Sequence, residues 1–404
     1  MRIVQINHFS YKAAGNIMMN LHGALTAKGV DSYVVWGRGR KAENDHEYYM
    51  DDPLGVNIHA LYTRVTDRAG FASKRATKLL VKWLEEIKPD IIHLHCMHGY
   101  YINLEILFDF IRENNTKVIW TQHDCWAFTG HCAYFDMVGC EKWINGCHNC
   151  EQLKTYPTSF RDASKKNWQD KKKMFSGLDI QIVTPCNWLK ELVQKSFLQE
   201  YPIEVIYNGI DLNVFKRSKR VFRSGKSFEN KFIILGVASE WTERKGLKDF
   251  IALDEMIDHD KYQIIIVGLS KEQINKTPKN IFAIERTENV QGLVDIYSSA
   301  DVFLNPTYED NFPTTNLESI ACGTPVITYR TGGAPECINE GINGYVVELG
   351  DLDTVKQIVD KFILKDNVDE DRSLFSKEIM IRKYEELYYG KDPKSGTSIS
   401  EEYN

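Results

Sequence analysis

The chain has 404 residues, of which 43% are hydrophobic and 26% are charged, and its formal net charge is −6. This length exceeds what one hydrophobic core comfortably holds, so two domains are expected, and the composition is ordinary for a globular protein. The net negative charge gives no reason to expect a nucleic-acid partner. No apolar run approaches the roughly 20 residues that cross a bilayer, and the first residues lack a signal-peptide layout. We therefore expect a cytoplasmic protein.

Residues 1–207 alternate between short apolar runs, typical of strands, and longer amphipathic segments, typical of helices. Ile3–Ile6 and Val34–Trp36 are the first two predicted strands. This alternation predicts an N-terminal domain built on a doubly wound parallel sheet. Between the first strand and the first helix we expect a loop that contains Lys12-Ala13-Ala14-Gly15. In this loop Gly15 alone has the backbone freedom to approach a ligand closely, and a plain turn is the alternative.

Residues 54–84 combine many basic side chains with recurring apolar ones and a single acid, Asp67. The basic residues are Arg64, Arg68, Lys74, Arg75, Lys78 and Lys82. A basic amphipathic surface can lie on anionic lipid at the inner face of the cell membrane, where each cation adds about 1 kcal/mol. A solvated helix face that packs its other side on the sheet is the alternative. A second basic cluster, which includes Lys171, allows the same two interpretations.

Polar side chains follow two predicted buried strands of this domain. His95 and His98 come at the end of one strand and beyond it, and His123 and Asp124 follow the next strand, residues 118–121. Open α/β sheets bind their ligands at the carboxyl ends of the strands. His123 is therefore the first candidate site residue of this domain, and a purely structural histidine is the alternative.

A cysteine-rich loop, residues 130–151, comes next. Its cysteines are Cys132, Cys140, Cys147 and Cys150, and the last two form a Cys-x-x-Cys motif. Four thiolates can bind one structural zinc ion tetrahedrally and so fasten a loop that is too polar to pack by itself. The first two spacings are not those of a standard zinc finger, so disulfides and free thiols stay as alternatives. A catalytic zinc is not expected, because four cysteines leave no open coordination position.

Residues 208–375 repeat the alternation of strands and helices and predict a second domain of the same class. The chain enters it through Asn208-Gly209-Ile210-Asp211, and residues 216–230 are charged and poor in apolar side chains, as expected of an exposed linker. The loop after the first strand of this domain carries two neighbouring cations, Arg244 and Lys245.

Residues 300–336 read as strand, loop, helix, strand and glycine-rich loop. Asp310 lies on the loop and Glu318 on the helix, and a carboxylate can accept hydrogen bonds from two neighbouring sugar hydroxyls. The helix start between them offers free backbone N–H groups to a diphosphate. Gly332-Gly333 gives a second close backbone approach to a phosphate. The remaining candidate donor-binding residues are Asn311, Phe312, Thr314 and Thr315.

In these features the chain resembles the retaining glycosyltransferases of family four, which have the GT-B fold of two Rossmann-like domains facing across a cleft. The family's signature is two acidic residues that flank seven others, and Asp310 and Glu318 match it. The resemblance implies that Asp310 contacts the transferred sugar and that Glu318 holds the nucleotide ribose. It also implies that Lys245 neutralises the donor diphosphate, and that His123 and Gly15 lie beside the donor.

The chain departs from the family pattern at several positions. Asp310 stands where glutamate is usual, and Glu309 lies one place too early. Pro313 stands where glycine is common, which removes one backbone donor. Glu240 takes the place of a usual arginine, so that cation is missing or is supplied by Arg244.

The resemblance implies a hexosyltransferase that needs no metal for catalysis and takes a nucleotide-sugar donor, expected to be UDP-linked. It implies a glycan or lipid-linked acceptor, bound by the N-terminal domain, in capsular or exopolysaccharide synthesis. The alternatives are a sugar-nucleotide epimerase or a phosphorylase of the same fold, and a non-catalytic membrane scaffold. Residues 376–404 are expected to form a helix that returns to the N-terminal domain, followed by a disordered tail.

Overall fold

The computed structural model describes residues 1–361 and 372–390. Its strands form two sheets, one in each half of the chain, and the strand pairings within both sheets are parallel. This confirms the predicted α/β fold with two Rossmann-like halves. The tail expected at 391–404 lies outside the described residues.

The first sheet has seven strands in the order β3-β2-β1-β4-β5-β6-β7. Its strands are β1 (Arg2–Phe9), β2 (Asp31–Arg38), β3 (Glu47–Tyr49), β4 (Ile91–Leu94), β5 (Lys117–Thr121), β6 (Ile180–Thr184) and β7 (Ile203–Val205). Its helices are α1 (Lys12–Ala27), α2 (Pro53–Thr66), α3 (Lys74–Ile87), α4 (Leu104–Asn114), α5 (Lys142–Asn145), α6 (Ser164–Phe175) and α7 (Asn187–Lys195). The strand order reverses between β1 and β4, which makes a topological switch point where α/β sheets bind ligands.

The second sheet has six strands in the order β10-β9-β8-β11-β12-β13. Its strands are β8 (Phe232–Val237), β9 (Tyr262–Val267), β10 (Phe282–Ile284), β11 (Val302–Asn305), β12 (Val326–Tyr329) and β13 (Gly344–Val347). The helices are α8 (Leu247–Met256), α9 (Lys271–Lys276), α10 (Val290–Ser299), α11 (Thr314–Ala321), α12 (Leu352–Asp360) and α13 (Lys377–Tyr389). Short 3-10 helices occur at Val221–Arg223, Glu243–Lys245, Ala334–Cys337 and Arg372–Phe375. The switch point of this sheet lies between β8 and β11.

Helices cover both faces of each sheet, which explains why its central strands read as unbroken apolar runs. All residues of β4, β11 and β12 are buried. Because the faces are occupied by packing, the carboxyl edges of the two sheets are where polar side chains gather.

The two crossings between the domains run side by side. The N–H group of Ile210 donates to the carbonyl oxygen of Phe375 at 2.9 Å, and the N–H group of Lys377 donates to that of Ile210 at 2.8 Å. A Cβ atom on Gly209 would lie 2.4 Å from the carbonyl oxygen of Ser376, so the close approach requires glycine.

The last helix, α13, packs on the first sheet although it follows the second. The hydroxyl of Tyr388 lies 2.6 Å from Nδ1 of the buried His93, and the hydroxyl of Tyr384 lies 2.9 Å from Oγ1 of Thr121. These hydrogen bonds satisfy polar groups inside the first domain, so the end of the chain helps to complete that domain.

The basic segment 54–84 forms two helices, α2 and α3, and not every cation in it is free. Arg68 forms an ion pair with Asp170 at 2.6 Å and lies over the ring of Phe71. Lys171, from the second basic cluster, is buried. These two cations therefore belong to the fold, which corrects their assignment to a solvent-facing surface. No helix among the described residues is long and apolar enough to span a membrane.

Candidate active site

A pair of opposite charges lies at the switch point of the second sheet. Lys245 follows β8 and forms an ion pair with Asp310, which follows β11. The two side chains are 20% and 16% exposed, so both can meet a ligand. Gly246 makes this approach possible, because its φ is 72° and a Cβ atom would lie 2.1 Å from the carbonyl oxygen of Pro306.

The carboxylate of Asp310 points toward Lys245, whereas that of the neighbouring Glu309 is turned away. Burial raises the pKa of Asp310, but the charges of Lys245 and Arg244 outweigh it and hold that pKa below its ordinary value. Glu309 is buried and accepts the N–H group of Met137 at 2.7 Å, and burial raises its pKa. Asp310 is therefore the ionised carboxylate of the site.

Helix α11 begins beside Asp310 without a side-chain cap. Its N-cap is Pro313, so Thr314 and Thr315 present backbone N–H groups at the positive end of the helix dipole. Phe312 is different, because its buried side chain packs against Tyr207 with ring centroids 5.2 Å apart. Phe312 was predicted to bind the donor. Since its side chain is buried, only its backbone can do so.

Glu318 lies one turn into α11 and is partly exposed. Burial raises its pKa to about 7, and hydrogen bonds from Tyr297 and Thr314 offset this in part. At neutral pH the carboxyl group is thus divided between its two forms. The ionised form can accept hydrogen bonds from two neighbouring hydroxyls.

Gly332 and Gly333 support the loop that carries Asp310. A Cβ atom on Gly332 would lie 1.7 Å from the carbonyl oxygen of Asp310, and one on Gly333 would lie 2.2 Å from that of Asn311. The N–H group of Gly333 also donates to this oxygen of Asn311 at 2.8 Å. In this structure the glycine pair is explained by close backbone packing against the acidic loop.

Histidines gather at the switch point of the first sheet. Nε2 of His123 lies 3.0 Å from Nδ1 of His95, and burial lowers the pKa of His123 to about 4, so its ring is neutral at pH 7. Within the described residues Nδ1 of His123 has no hydrogen-bond partner. Beside it, Nε2 of His98 donates to the carboxylate of Asp124 at 2.7 Å, and Asp124 also accepts the N–H group of Trp126 at 2.9 Å.

Gly15 lies in the first turn of α1, so the prediction that it belongs to a loop was wrong. A Cβ atom there would lie 2.7 Å from the carbonyl oxygen of Phe9. Glycine thus allows α1 to start directly against the end of β1. The N-cap, Tyr11, makes no side-chain hydrogen bond to the helix.

Side chains of both domains meet in the cleft. Asn311 donates a side-chain N–H group to the carbonyl oxygen of His123, and the thiol of Cys186 donates to the carbonyl oxygen of Asn311 at 3.1 Å. The guanidinium group of Arg244 lies over the ring of Tyr134, 4.7 Å from its centroid. The acidic loop and His123 therefore line one cleft.

Glu336 also joins the domains, and the sequence did not predict it. Its carboxylate accepts the N–H groups of Asn187 and Trp188, both at 2.8 Å, at the start of α7. It also accepts the hydroxyl of Tyr207 at 3.1 Å. A carboxylate is favoured at a helix N-terminus. These partners lie 129 to 149 residues away along the chain, so no local pattern could reveal the contact.

The cysteine-rich loop brings some of its thiols together. Cys132 and Cys150 share a hydrogen bond, which is the main reason that the pKa of Cys150 is lowered to about 7. Sγ of Cys147 accepts the N–H group of Gly130 at 3.1 Å. The loop is thus internally bonded even with all of its thiols free.

A metal ion needs donor atoms that are close enough to share it. In the part of the chain that the structure describes, three such atoms within 4.8 Å of one another belong to Cys96, His98 and Asp124. The four cysteines of the loop do not form a group of this kind. A zinc ion bound there would require these thiols to move together.

Two family models match the chain and between them span both domains. The one described as glycosyltransferase family 4 matches residues 14–214, and the one described as glycosyl transferases group 1 matches residues 218–378. Among curated relatives, WcaC of Escherichia coli, named as a colanic acid biosynthesis glycosyl transferase, is 23% identical over 428 aligned residues. The alignment covers 96% of this chain and 99% of WcaC.

Solved structures share the architecture over nearly the whole chain. Sucrose-phosphate synthase from Thermosynechococcus elongatus has a TM-score of 0.70 at 15% identity, over 96% of this chain and 98% of that one. HepE from Anabaena in complex with UDP-glucose has a TM-score of 0.65 at 14% identity, over 96% of this chain and 99% of that one. At such identities a structural match shows the fold alone. With the family models, the chain belongs to glycosyltransferase family 4 and has the GT-B fold.

Proposed function

We propose that this protein is a retaining hexosyltransferase that moves a sugar from a UDP-linked donor to a glycan or lipid-linked acceptor during surface polysaccharide synthesis. The observation that carries the proposal is the Lys245–Asp310 pair beside the uncapped start of α11. The complex of HepE with UDP-glucose and the name of WcaC support the donor and the pathway class.

The donor diphosphate is proposed to bind between Lys245 and the N–H groups of Thr314 and Thr315. A cation and a helix N-terminus together form a site for a dianion. Glu318, in its ionised form, would accept the two ribose hydroxyls. The sugar would then lie over Asp310, with Nδ1 of His123 available to one of its hydroxyls from the other domain.

Transfer needs the negative charge on the leaving UDP to be stabilised. Lys245 supplies the positive charge that stabilises it, with Arg244 close behind, so we propose that catalysis requires no metal ion. The bond from the sugar C1 to the diphosphate oxygen breaks, and a bond from C1 to the acceptor oxygen forms on the same face. The acceptor proton passes to the leaving phosphate oxygen, which accounts for retention without a separate base.

The reaction is tested by incubating the protein with UDP-glucose, UDP-galactose and their GDP and ADP counterparts, with bacterial lipid extract as acceptor. The expected result is release of UDP and a glycoside with the anomeric configuration of the donor. A product of inverted configuration contradicts retention. Conversion of the sugar nucleotide to its epimer without acceptor identifies an epimerase, phosphate-dependent cleavage identifies a phosphorylase, and no turnover of any compound favours the scaffold.

The protein is also proposed to work in the cytoplasm at an anionic membrane surface, through one face of α2. Leu54, Ile58, Leu61 and Val65 lie on one stripe of this helix, and 46% to 70% of each is exposed. Phe160 is 77% exposed and its N–H group donates to the carbonyl oxygen of Arg64 at the end of α2, which extends the apolar surface.

Charge complementarity favours anionic lipid as the occupant of this surface. The exposed cations of α2 and α3 are Arg64, Lys74, Arg75, Lys78 and Lys82. Apolar insertion and cation attraction together are what hold an amphipathic helix at a membrane interface.

The membrane contact predicts that the double variant Ile58→Glu and Leu61→Glu binds phosphatidylglycerol vesicles at least about tenfold more weakly, a change of roughly 1.4 kcal/mol. Sedimentation with vesicles measures this, and Ile342→Glu, at a 45% exposed position of the second domain, is the matched control. Equal binding by both variants, or equal binding of the native chain to phosphatidylcholine vesicles, removes the proposal.

Structural zinc at the cysteine-rich loop remains a separate proposal. Bound zinc would have to draw Cys132, Cys140, Cys147 and Cys150 closer together than they lie here. Elemental analysis of the purified protein is expected to give one zinc per chain, and Cys147→Ser is expected to lose it. A metal-free protein in which all nine cysteines react with a thiol reagent contradicts the proposal.

A further inference from the structure

A second group of polar side chains lies at the switch point of the first sheet, and the donor site does not use it. The group comprises His98 beyond β4, Asp124 beyond β5, and the hydroxyl of Tyr156. Nε2 of His98 lies 2.7 Å from Asp124, and its Nδ1 lies 2.9 Å from the Tyr156 hydroxyl. Because a carboxylate only accepts, Nε2 carries a proton, and Nδ1 is already engaged by the Tyr156 hydroxyl, whose oxygen keeps a lone pair for a ligand hydroxyl.

The position of His98 is set by the backbone and by its neighbours. Gly99 and Tyr100, which follow it, both have positive φ values, 109° and 67°. A positive φ is uncommon for tyrosine, so this turn is held by its surroundings. Arg38 donates to the carbonyl oxygen of Gly99 at 3.5 Å, and the rings of His98 and His8 lie 5.5 Å apart.

The group is accessible from the cleft and close to the donor site. The side chains of His98 and Asp124 are 12% and 14% exposed, and Tyr156 is 43% exposed. Tyr134 lies between the two regions: burial is the main cause that raises the pKa of its hydroxyl, and the charges of Asp310 and Asp124 both add to it.

Two cations form the rim of this group. Nζ of Lys12 and the guanidinium of Arg38 lie 4.7 Å and 5.1 Å from the centroid of the same ring, that of Phe9. Within the described residues neither cation has a carboxylate partner at ion-pair distance. Two unpaired cations beside hydrogen-bonding groups suit a ligand that has both hydroxyls and a negative charge.

We propose that this group is the acceptor site of the enzyme. The oxygen of the Tyr156 hydroxyl, which His98 and Asp124 hold in place, accepts a hydrogen bond from an acceptor hydroxyl. Lys12 and Arg38 bind a phosphate or diphosphate carried by the same sugar. The acceptor class is thus a phosphorylated saccharide. The inference rests on the proposed transfer from a nucleotide-sugar donor, and it assigns Tyr156 to binding and His98 and Asp124 to positioning.

Binding is measured by calorimetry on protein saturated with UDP, so that the donor site is filled. The probes are methyl glucoside, glucose 1-phosphate and a glucose linked to farnesyl diphosphate. Both charged probes are expected to bind about tenfold or more tightly than methyl glucoside, since each additional 1.4 kcal/mol is a factor of ten. Tighter binding of the farnesyl compound identifies a lipid-linked acceptor, and equal binding of the two identifies a soluble sugar phosphate.

Variants test the rim cations and the hydrogen-bonding group of the site separately. Arg38→Gln is expected to remove the advantage of the charged probes, whereas Lys41→Gln, an exposed cation nearby, keeps it. Tyr156→Phe, His98→Gln and Asp124→Asn are each expected to weaken all three probes. Combining Tyr156→Phe with His98→Gln is expected to weaken them no further than either change alone, because His98 acts through Tyr156.

The outcomes also separate this inference from the proposed function. Failure of the native protein to bind UDP contradicts the transferase itself. If UDP binds but charged and neutral probes bind equally, or if His98→Gln binds every probe as the native protein does, the acceptor site lies elsewhere. Melting temperatures with UDP, unchanged among the variants, show that each variant is folded and keeps its donor site.

Discussion

The two switch points that face each other across the cleft are built from different kinds of polar groups. In the second domain, Lys245 and Asp310 are both charged and lie beside the uncapped start of α11. In the first domain, the rings of His95 and His123 are hydrogen-bonded to each other. Burial lowers the pKa of each ring, so both rings are neutral.

The difference matches the two chemical demands of sugar transfer. A leaving diphosphate is a concentrated charge and is best met by a fixed cation and oriented backbone dipoles. A sugar is an array of neutral hydroxyls and is best met by neutral donors and acceptors that do not need to be desolvated as ions. The cleft thus joins a charged half-site, formed by Lys245, Asp310 and the start of α11, and a neutral half-site, formed by His95 and His123.

The largest expected effect comes from removing the cation of the second domain, Lys245. Lys245→Ala is expected to lower kcat/KM for transfer about 10²- to 10³-fold, the usual effect of deleting one group that stabilises a leaving charge. Steady-state kinetics with the donor varied measure it. The control is Lys248→Ala, whose ammonium group lies at the surface beside Glu243 at 3.0 Å. Similar losses in both variants would mean that overall charge, and not the site, is responsible.

The hydrogen bonds that Glu336 of the second domain accepts from the start of α7 in the first domain can be removed by substitution. Glu336→Ala leaves the N–H groups of Asn187 and Trp188 without their acceptor, so a loss of about 1–3 kcal/mol in the free energy of unfolding is expected. Urea denaturation measures this. Glu348→Ala, which removes an exposed carboxylate paired with Arg330, is expected to change stability by less than about 0.5 kcal/mol. A native-like stability of Glu336→Ala would show that the domains do not depend on this contact.

The pH dependence of nucleotide binding tests the role of Glu318. Its pKa is raised to about 7, so the ionised form, which accepts the ribose hydroxyls, becomes more populated as the pH rises through 7. The affinity for UDP is therefore expected to be about tenfold weaker at pH 6 than at pH 8. Calorimetry at both values tests this against Glu318→Gln, which should lose most of the dependence. An equal slope in the variant would assign the titration to another group.

The support that α13 gives to the histidines of the first domain can be tested at Tyr388. Tyr388→Phe removes the hydroxyl that bonds to the buried Nδ1 of His93, so a loss of about 1 kcal/mol of stability is expected. Tyr389→Phe, one residue further and 55% exposed, is the matched control and should be neutral. Thermal unfolding compares the two. If they behave alike, the hydrogen bond to His93 contributes nothing measurable.

The fold followed from the sequence because strands buried on both faces give apolar runs that local patterns reveal. Asp310, Lys245 and His123 could be singled out from the sequence because each comes shortly after a predicted strand. Glu318 was singled out because it stands eight residues after Asp310, as the family signature requires. The roles of individual glycines were harder to predict from the sequence. Gly332 and Gly333 resemble a phosphate loop, but their Cβ positions meet the backbone of the acidic loop, which only three-dimensional packing shows.

Contacts between the domains could not be predicted from the sequence. Glu336 caps a helix that begins 149 residues earlier, and the ring of Tyr134 lies under a guanidinium from the other domain. A basic segment was likewise ambiguous, because only the fold separates Arg68, which is paired with Asp170, from the exposed cations of α2 and α3.

Binding of a nucleoside diphosphate at the charged half-site can be tested directly by the melting temperature of the protein with UDP, GDP and ADP. A ligand at about 100 times its dissociation constant adds roughly 2.7 kcal/mol of stability, which a thermal shift detects easily. We expect a shift with UDP that is lost in Lys245→Ala and in Glu318→Ala. No shift with any nucleotide, or a shift that survives both substitutions, would contradict it.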